Sequence, residues 1–436
     1  MPWFATLSIG FALMIGLIFT GVPIFVAFLI INTIGILWAF GPAAFGMFSN
    51  SLLSTLTNEP LVTVPLFLLM GELLFKSGAI DRLYAALDRL IGNTRIRLYL
   101  LGIALATALG TLSGSAMADA AMLGRTLYPG MVARGYDRKI SAGLIMAGAT
   151  LAPIIPPSVL AVILGSLAGV SIAELLIAGI GPGLFLALLL LLYVRVRVLV
   201  DPSKAPPLDP DYVAPTAMQR VVAVLDLLPF GAVIFMVIGF ILLGIASPTE
   251  SAATGVAATL FVAAYYRRLS FKLMLDALFA TARTTSTIML IIMSATLFGQ
   301  LLSFTGAPEG MIRTVEQIGV DRWVVFAAMM VVAFVSCMFI GGYEFMLISV
   351  PIYAPMIAAQ HFDPIWFWMI YLVMIITGGM TPPFGLTMFV FKSVVPDISI
   401  IEVYNATWPF VAVIMFGLLI MTFVPDIVLF LPRLMH

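Results

Sequence analysis

Three prolines interrupt one of the most apolar segments of this 436-residue chain. Residues 149–158 read A-T-L-A-P-I-I-P-P-S, and a helix cannot run straight through them, because each proline lacks a backbone N–H and crowds the carbonyl one turn earlier. In a bilayer, the freed backbone groups need protein, water or a ligand as partners. A second interrupted segment, I-T-G-G-M-T-P-P-F-G-L, covers residues 376–386. Two such segments at matching positions of two halves predict a substrate site.

The composition places most of the chain in a membrane. Hydrophobic residues make up 62% of it and charged residues 10%, against about 25% charged residues in soluble proteins. The formal net charge is zero, so nothing indicates nucleic acid as a partner. One cysteine, Cys337, and two histidines exclude an internal disulfide and disfavour a Cys/His zinc cluster or a Cys–His nucleophile pair. We therefore expect a polytopic protein whose solvent is the lipid bilayer.

The two halves of the sequence repeat each other. Residues 71–81, G-E-L-L-F-K-S-G-A-I-D, match residues 299–309, G-Q-L-L-S-F-T-G-A-P-E, at an offset of 228. Asp119 matches Glu344 at an offset of 225, and the two Pro-Pro pairs match at 226. An ordered series at nearly constant spacing indicates a duplication.

The basic residues predict the orientation of the two halves. Of the 21 lysines and arginines, 17 lie in residues 76–97, 125–139, 195–220 and 267–283. By the positive-inside rule these stretches are cytoplasmic. Their repeat-mates hold few or no basic residues, so we expect inverted halves with an odd number of spans, five in each. This topology puts both termini in the periplasm, and the first span is expected to be retained because no basic residue precedes Lys76.

Residues 98–128 lie between two stretches that are both predicted to be cytoplasmic. They should therefore enter the membrane and return, turning at Ser113-Gly114-Ser115. The mate of this hairpin, residues 323–355, should dip in from the other face and turn near residues 339–342. The predicted fold is an all-α polytopic membrane protein built from inverted-topology repeats, with about ten spans and two opposed re-entrant hairpins.

These features divide the chain into three parts. The first repeat covers residues 1–200 and contains the broken helix 140–168. The second covers residues 220–436 and contains the broken helix 365–393. Between them, residues 201–219 form a cytoplasmic linker, which is expected to lie in solvent because five prolines and several charges fall within a short run.

The hairpin tips and the helix breaks are predicted to meet and to bind a cation. The first site would combine the hydroxyls of Ser113 and Ser115 with backbone carbonyls near Ala152, Ile155 and Pro157. Such neutral oxygen cages suit a hard monovalent cation, whereas a divalent ion would recruit more carboxylates. We therefore expect Na⁺ as the ion and no organic cofactor.

A second sodium site is predicted from the repeat, with backbone groups near Cys337, Gly341, Gly378, Thr381 and Pro383 as ligands. The alternative for both sites is that serine, glycine and proline at these positions only allow close packing of helices.

Four polar residues near these tips are candidates for substrate binding: Asp119, Arg125, Ser158 and Glu344. Carboxylates inside a membrane are costly and are usually functional. Asp119 and Glu344 could be cation ligands, proton carriers or structural partners of a nearby donor, and Asp119 could also be an N-cap charge. Arg125 is the best candidate to approach an anionic substrate.

Several motifs resemble one family. The strings V-P-L-F-L-L-M-G-E-L-L-F-K-S-G, S-G-S-A-M-A-D-A-A-M-L-G, A-G-A-T-L-A-P-I-I-P-P-S, S-P-T-E-S-A-A and G-G-M-T-P-P-F-G-L are similar, in this order and over nearly the whole chain, to the large membrane subunit of tripartite ATP-independent periplasmic (TRAP) transporters, the DctM/SiaM type.

The resemblance implies a bacterial or archaeal cytoplasmic-membrane permease that moves an organic anion inward with sodium by an elevator-type motion, in a fold like that of the ion transporter superfamily. It also implies two partners, a small four-span membrane subunit of the DctQ/SiaQ type, expected here as a separate polypeptide, and a periplasmic binding protein of the DctP/SiaP type. The family's first sodium site carries over to Ser113, Ser115, Ala152, Ile155 and Pro157; Ala152 stands where some members have glycine. The second hairpin, with Cys337, matches less closely.

Other functions fit less well. A stand-alone sodium/carboxylate carrier of the same architecture is the alternative, and dependence on a binding protein would separate the two. An intramembrane enzyme with Asp119 and Glu344 as a carboxylate dyad leaves the duplicated Pro-Pro breaks unexplained, so the chain is not expected to be an enzyme. An ATP-driven pump is disfavoured because the sequence has no G-x-x-x-x-G-K-[ST] loop. Dicarboxylates, sialic acid, keto acids and sugar acids all stay possible substrates.

Overall fold

The structure, a computed structural model, describes residues 3–41, 46–208 and 212–435. About 80% of the chain is helical, and the described residues form no β-strand. The helices of the first half are α1 (Trp3–Phe19), α2 (Ile24–Phe40), α3 (Gly46–Leu56), α4 (Thr63–Lys76), α5 (Ala79–Leu90), α6 (Arg97–Ser113), α7 (Ala116–Thr126), α8 (Tyr128–Ala133), α9 (Arg138–Ala149), α10 (Val159–Ala168), α11 (Ile172–Ala178) and α12 (Ile180–Val200).

The second half has the same order of elements. Its helices are α13 (Ala217–Ile234), α14 (Phe240–Leu242), α15 (Pro248–Tyr265), α16 (Phe271–Phe304), α17 (Ala307–Ile318), α18 (Arg322–Cys337), α19 (Gly342–Ala359), α20 (Pro364–Gly379), α21 (Leu386–Val394), α22 (Ile400–Phe423) and α23 (Asp426–Arg433). A π-helical turn joins α13 to α14, and short 3₁₀ turns cover Glu59–Val62 and Pro202–Lys204.

Many of these helices are long and apolar enough to cross a bilayer. Five of the described helices reach the length and apolarity of a full span, or six if the bent pair of α3 and α4 is counted as one span. Five further apolar helices are 10–17 residues long. This establishes a helical membrane protein; the predicted number of ten spans stays a prediction.

Contacts between the halves come in reciprocal pairs. Helix α4 packs on α15 as α16 packs on α2, and α5 packs on α13 as α17 packs on α1. In the centre, α7 packs on α21 as α19 packs on α10. Swapped pairs of this kind are what a pseudo-two-fold relation between two halves produces. The predicted inversion across the membrane stays a prediction.

The break between α3 and α4 has no counterpart in the second repeat. In the second half, α16 is one helix of 34 residues. In the first half, the matching segment bends by 59° between α3 and α4. Pro60 explains the break, because its ring crowds the carbonyl of Leu56, where α3 ends. The repeat-mate of Pro60 is Ile288, which continues the helix.

Most described residues of the linker are exposed, but the part around Lys204 is docked on the first half. The carbonyl of Lys204 accepts hydrogen bonds from the hydroxyl of Tyr99 at 2.8 Å and from the N–H of Asp137 at 3.1 Å. The Lys204 ammonium lies 2.9 Å from Oδ2 of Asp137. The linker is therefore fastened to the beginnings of α6 and α9.

This ion pair changes the acidity of both partners. Burial alone would raise the pKa of Asp137, but hydrogen bonds from Lys204 and from the N–H groups of Ile140 and Lys139 outweigh it and hold the pKa below its ordinary value. The hydrogen bond and the charge of Asp137 raise the pKa of Lys204. Both groups are charged at neutral pH. The contact between Lys204 and Asp137, which we call the linker clasp, is therefore a salt bridge.

The centre of the molecule consists of the two interrupted helices. Every residue from 140 to 165 is buried, which includes α9 from Ile140 onward, the break after it and seven of the ten residues of α10. In the second half, residues 365–378 of α20 are all buried. Neighbouring helices surround both segments, and the unpaired backbone of the first break is enclosed in protein, as a bilayer requires.

Candidate binding site

The first hairpin turns over two residues. Helix α6 ends at Ser113, whose side chain lies outside the described part of the structure, and Gly114 follows with a left-handed φ of 60° that glycine adopts without strain. Ser115 then caps α7, because its hydroxyl accepts a hydrogen bond from the N–H of Ala118 at 3.4 Å.

The first break is held by a serine. Helix α9 ends at Ala149, and α10 begins at Val159. The Ser158 hydroxyl donates to the carbonyl of Pro153 at 2.5 Å and accepts from the N–H of Ala161 at 3.1 Å. Ser158 therefore closes the break and caps α10, and it is fully buried.

The hairpin tip and this break touch each other. A Cβ built on Gly110 would lie 2.8 Å from Cα of Ala152, so α6 and the break approach backbone to backbone. A Cβ built on Gly114 would lie 3.3 Å from the carbonyl oxygen of Pro157. The Ile155 side chain packs against Gly183 of α12. Of the carbonyl residues predicted for the first sodium site, Ala152 and Pro157 thus contact the hairpin, whereas the Ile155 side chain contacts α12.

The second tip and break touch in the same way. A Cβ built on Gly378 would lie 2.7 Å from both Cβ of Cys337 and the carbonyl oxygen of Phe334. The N–H of Phe384, in the break between α20 and α21, donates to the carbonyl of Met338 at 3.2 Å. Of the residues predicted for the second site, Cys337 and Gly378 therefore lie in direct contact, and Pro383 precedes the residue that bonds to the second tip.

Two carbonyls of the second contact already accept hydrogen bonds from hydroxyl groups. The hydroxyl of Thr381 donates to the carbonyl of Thr377 at 2.7 Å. The hydroxyl of Tyr404, on α22, donates to the carbonyl of Pro383 at 2.6 Å. Each carbonyl keeps a second lone pair that an ion could use.

A cavity of about 100 Å³ lies where all four elements meet. Its walls come from the first tip, the first break, the second tip and both sides of the second break. The lining residues are Gly114, Ser115, Ala116, Met117, Pro153, Leu160, Gly341, Gly342, Tyr343, Glu344, Ile375, Ile376, Gly379, Leu386 and Thr387. The fold thus brings the four chain interruptions to one space, which is where a small solute could be held.

The residues predicted to bind substrate differ in burial, and only some of them reach the cavity. Glu344 lines the cavity, whereas Asp119, its repeat-mate, is fully buried in α7. Ser158 is occupied by the capping contacts described above. Arg125 is exposed ten residues beyond Ser115, which is about 15 Å along α7. The structure therefore brings Glu344 to the cavity and leaves Arg125 away from it.

Sequence reasoning missed three residues of this region. Tyr404 reaches Pro383 from 21 residues further along the chain, and no local pattern indicates that contact. Tyr343 and Thr387 line the cavity. Tyr343 comes directly after the predicted second turn, and Thr387 comes directly after the second interrupted segment. Their proximity to these features in the sequence could have identified them.

The all-helical fold, with two buried interrupted helices around a central cavity, defines a multi-pass helical membrane transporter. Residues 11–427 match the family model described as the DctM component of the tripartite ATP-independent periplasmic transporter, and the chain belongs to this family. It is thus a TRAP transporter large permease subunit, as the motifs predicted, and its partners are a small membrane subunit and a periplasmic binding protein.

Curated relatives match along the whole length. The ectoine TRAP transporter large permease TeaC of Halomonas elongata is 29% identical, over 97% of this chain and 98% of the relative. The C4-dicarboxylate large permease DctM of Pseudomonas aeruginosa is 29% identical, over 90% and 91%. The 2,3-diketo-L-gulonate large permease YiaN of Escherichia coli is 28% identical, over 87% and 88%.

A solved structure has a similar fold. The Alcanivorax borkumensis YdaH transporter aligns over 88% of this chain and 89% of its own, with a TM-score of 0.62 and 15% sequence identity. At this identity the likeness concerns the fold alone.

Proposed function

We propose that this permease carries a carboxylate-bearing solute into the cell together with sodium ions. The observation that supports the proposal best is the cavity between the two hairpin tips and the two helix breaks. The compounds named for the three relatives above, ectoine, C4-dicarboxylate and diketogulonate, all carry a carboxylate group. A solute with this group is therefore the natural class for the cavity.

The proposed first sodium site uses the hydroxyls of Ser113 and Ser115 and the carbonyls of Ala152, Ile155 and Pro157. The close approach of Gly114 to the Pro157 carbonyl supports it, because it brings the tip within reach of the break. The ligands are neutral oxygens, so they suit a monovalent cation better than a divalent one.

The proposed second site lies at the other contact, with Cys337, Gly341, Gly378, Thr381 and Pro383. Backbone carbonyls are its main ligands, and the close packing of Gly378 on Cys337 supports their proximity. Each sodium ion entering down a membrane potential releases about 2.3 kcal/mol per 100 mV. Two ions could therefore drive substantial accumulation of a monoanion.

An elevator-type movement is part of the proposal. The hairpins and broken helices contact one another as one group, and α2, α4, α15 and α16 contact one another as a second group. In the proposed cycle the first group moves against the second and carries the cavity across the bacterial inner membrane. A small four-span subunit of the DctQ/SiaQ type would support the second group, and a periplasmic protein of the DctP/SiaP type would deliver the solute.

Reconstitution tests this function. The permease is placed in proteoliposomes with its small subunit, and uptake of a panel of radiolabelled carboxylates is measured with and without a sodium gradient and the binding protein. Uptake should require both the gradient and the binding protein. Uptake that needs sodium but no binding protein would indicate a stand-alone carrier. Uptake that ignores the gradient would contradict sodium coupling.

A further inference from the structure

The charge of the central cavity is unusual for a site that receives an acid. Among the described residues that line it, Glu344 is the one acidic residue, and none is arginine, lysine or histidine. Arg125, the candidate anion-binding residue, is exposed at the far end of α7. A dianion in this space would face a carboxylate and no cationic side chain.

Glu344 lies at the third position of its helix but makes no capping hydrogen bond within the described part of the chain, unlike two glutamates at the same position of other helices. Glu250 and Glu402 occupy the same position, the third residue of a helix, and each accepts a hydrogen bond from the N–H of its N-cap serine, at 2.8 and 3.0 Å. The N-cap of α19 is Gly341, and in the described structure no side chain caps this helix. Oε2 of Glu344 is buried and has no hydrogen-bond partner among the described residues. The carboxylate interacts with the backbone N–H of Glu344 itself, and its oxygen Oε2 is available to a ligand.

Glycine at the tip gives this carboxylate its place. A Cβ built on Gly341 would overlap Oε2 of Glu344, and the φ of Gly341 is −66°, which any residue adopts. Room for the carboxylate, rather than backbone conformation, is therefore what glycine provides here.

The start of helix α21 lines the same cavity. Helix α21 begins at Leu386 after Gly385, and no side chain caps it in the described structure. Leu386 and Thr387 line the cavity, so the first turn of this helix faces the space that Glu344 enters. Free N–H groups and the positive end of the helix dipole suit a carboxylate.

We infer that the transported solute is a zwitterion. Its cationic group pairs with Glu344, and its carboxylate lies at the first turn of α21 near Thr387. This inference rests on the proposed function and narrows its solute class. A buried carboxylate without a partner is costly, and a cationic group on the solute neutralises it, whereas a second carboxylate would add repulsion.

A matched set of solutes tests the inference. Succinate, butyrate and 4-aminobutyrate share four carbons and one carboxylate, and they differ at the other end, which is anionic, apolar or cationic. Ectoine is added as a bulkier zwitterion. The sodium-dependent affinity of the reconstituted complex for each solute is measured and compared. Binding is also followed through the thermal stabilisation of the purified permease.

The zwitterions should bind more tightly than succinate and butyrate. Glu344→Gln should weaken zwitterion binding about ten-fold or more, because a charge-assisted contact is lost, and should leave butyrate within about two-fold. Gly341→Ala, which moves the carboxylate, should weaken zwitterion binding in the same direction. Glu402→Gln removes a glutamate at the same helical position outside the cavity, and it should change no solute preference.

Three results would overturn the inference. One is a wild-type preference for succinate, which would leave sodium-coupled carboxylate transport intact. Another is an equal loss of all solutes in Glu344→Gln. The third is a changed sodium requirement with unchanged solute selection, which would make Glu344 a sodium ligand. If no solute of the set binds in a sodium-dependent way, the proposed function itself fails, and the inference fails with it.

Discussion

The two contacts between hairpin and break share a backbone arrangement but differ in their side chains. In the first half, Ser115 caps α7 and Ser158 caps α10. The corresponding helices of the second half, α19 and α21, have Gly341 and Gly385 as N-cap residues, and neither helix carries a side-chain cap in the described structure. The duplication has therefore kept the geometry, while the hydroxyl caps are found in one half and the open helix ends in the other.

The surroundings differ as well. The first break is enclosed along its whole length. At the second contact, Phe339 and Phe384 are 53% and 55% exposed, and their ring centroids are 6.0 Å apart. The first contact is therefore enclosed and has serine caps at its helix starts, whereas the second contact is more exposed and, among the described residues, has uncapped helix starts.

The largest effect is expected from substituting the glycines at which hairpin and break approach each other, Gly110 in the first half and Gly378 in the second. Gly110→Ala and Gly378→Ala should each destabilise the protein by about 1–3 kcal/mol, because the new methyl group meets backbone atoms that cannot move away. Thermal unfolding of the purified variants measures this. Gly379→Ala is the control, since a Cβ there meets nothing within 4 Å. If one of the first two variants is as stable as the control, the contacts are not equally close.

The hydroxyl of Ser115 should matter for sodium. Ser115→Ala removes a proposed ligand and should raise the sodium concentration for half-maximal uptake about ten-fold. Thr381→Ala should have a smaller effect, because the Thr381 hydroxyl already donates to Thr377 and the second site relies on carbonyls. Uptake at a series of sodium concentrations decides this. An unchanged sodium dependence in Ser115→Ala would count against the first site.

The hydrogen bond from Tyr404 separates the second contact from the first. Tyr404→Phe removes the donor to the Pro383 carbonyl and should lower stability by about 1 kcal/mol. It should also alter sodium dependence at the second site, because the carbonyl loses a competing partner. Unfolding and sodium titrations measure the two effects. A variant indistinguishable from the wild type in both would show that this bond does not support the second break.

The smallest expected effect concerns the linker clasp of the first half. Asp137→Asn keeps an N-cap for α9 but loses the ion pair with Lys204, and it should cost less than about 1 kcal/mol. Because the pKa of Asp137 is lowered from its ordinary 3.8, this contribution is present above that pH and is lost as the pH falls through the lowered pKa.

Trypsin cleavage after Lys204 at neutral pH provides a second readout, and it should be faster in Asp137→Asn. The control is Asp363→Asn. Asp363 is the repeat-mate of Asp137 and caps α20 through the N–H of Trp366. Equal cleavage of wild type and Asp137→Asn would show that the clasp does not hold the linker.

Much of the central architecture was predictable because proline and glycine act locally. The prolines at 153, 156 and 157 lie between α9 and α10, and the predicted turns at residues 113–115 and 339–342 lie between the hairpin helices. The family motifs were sufficient to identify the DctM family.

Contacts made by side chains across long sequence distances were not predictable. The docking of Lys204 on Asp137 joins residues 67 positions apart, and the proline-rich composition of the linker did not indicate it. Likewise, Asp119 and Glu344 match in sequence, yet the first is enclosed and the second faces the cavity. A one-dimensional repeat does not reveal which of two equivalent carboxylates the packing covers.

The uninterrupted length of α16 sets a limit on how the protein lies in lipid. Its 34 residues measure about 51 Å, well beyond the hydrocarbon thickness of about 30 Å. The helix must lean strongly or project into water, and Lys272, Asp276 and Arg283 mark its first turns as the wet end. The broken counterpart in the first half needs no such projection. The subunit is therefore expected to extend further from the membrane beside α16 than beside α3 and α4.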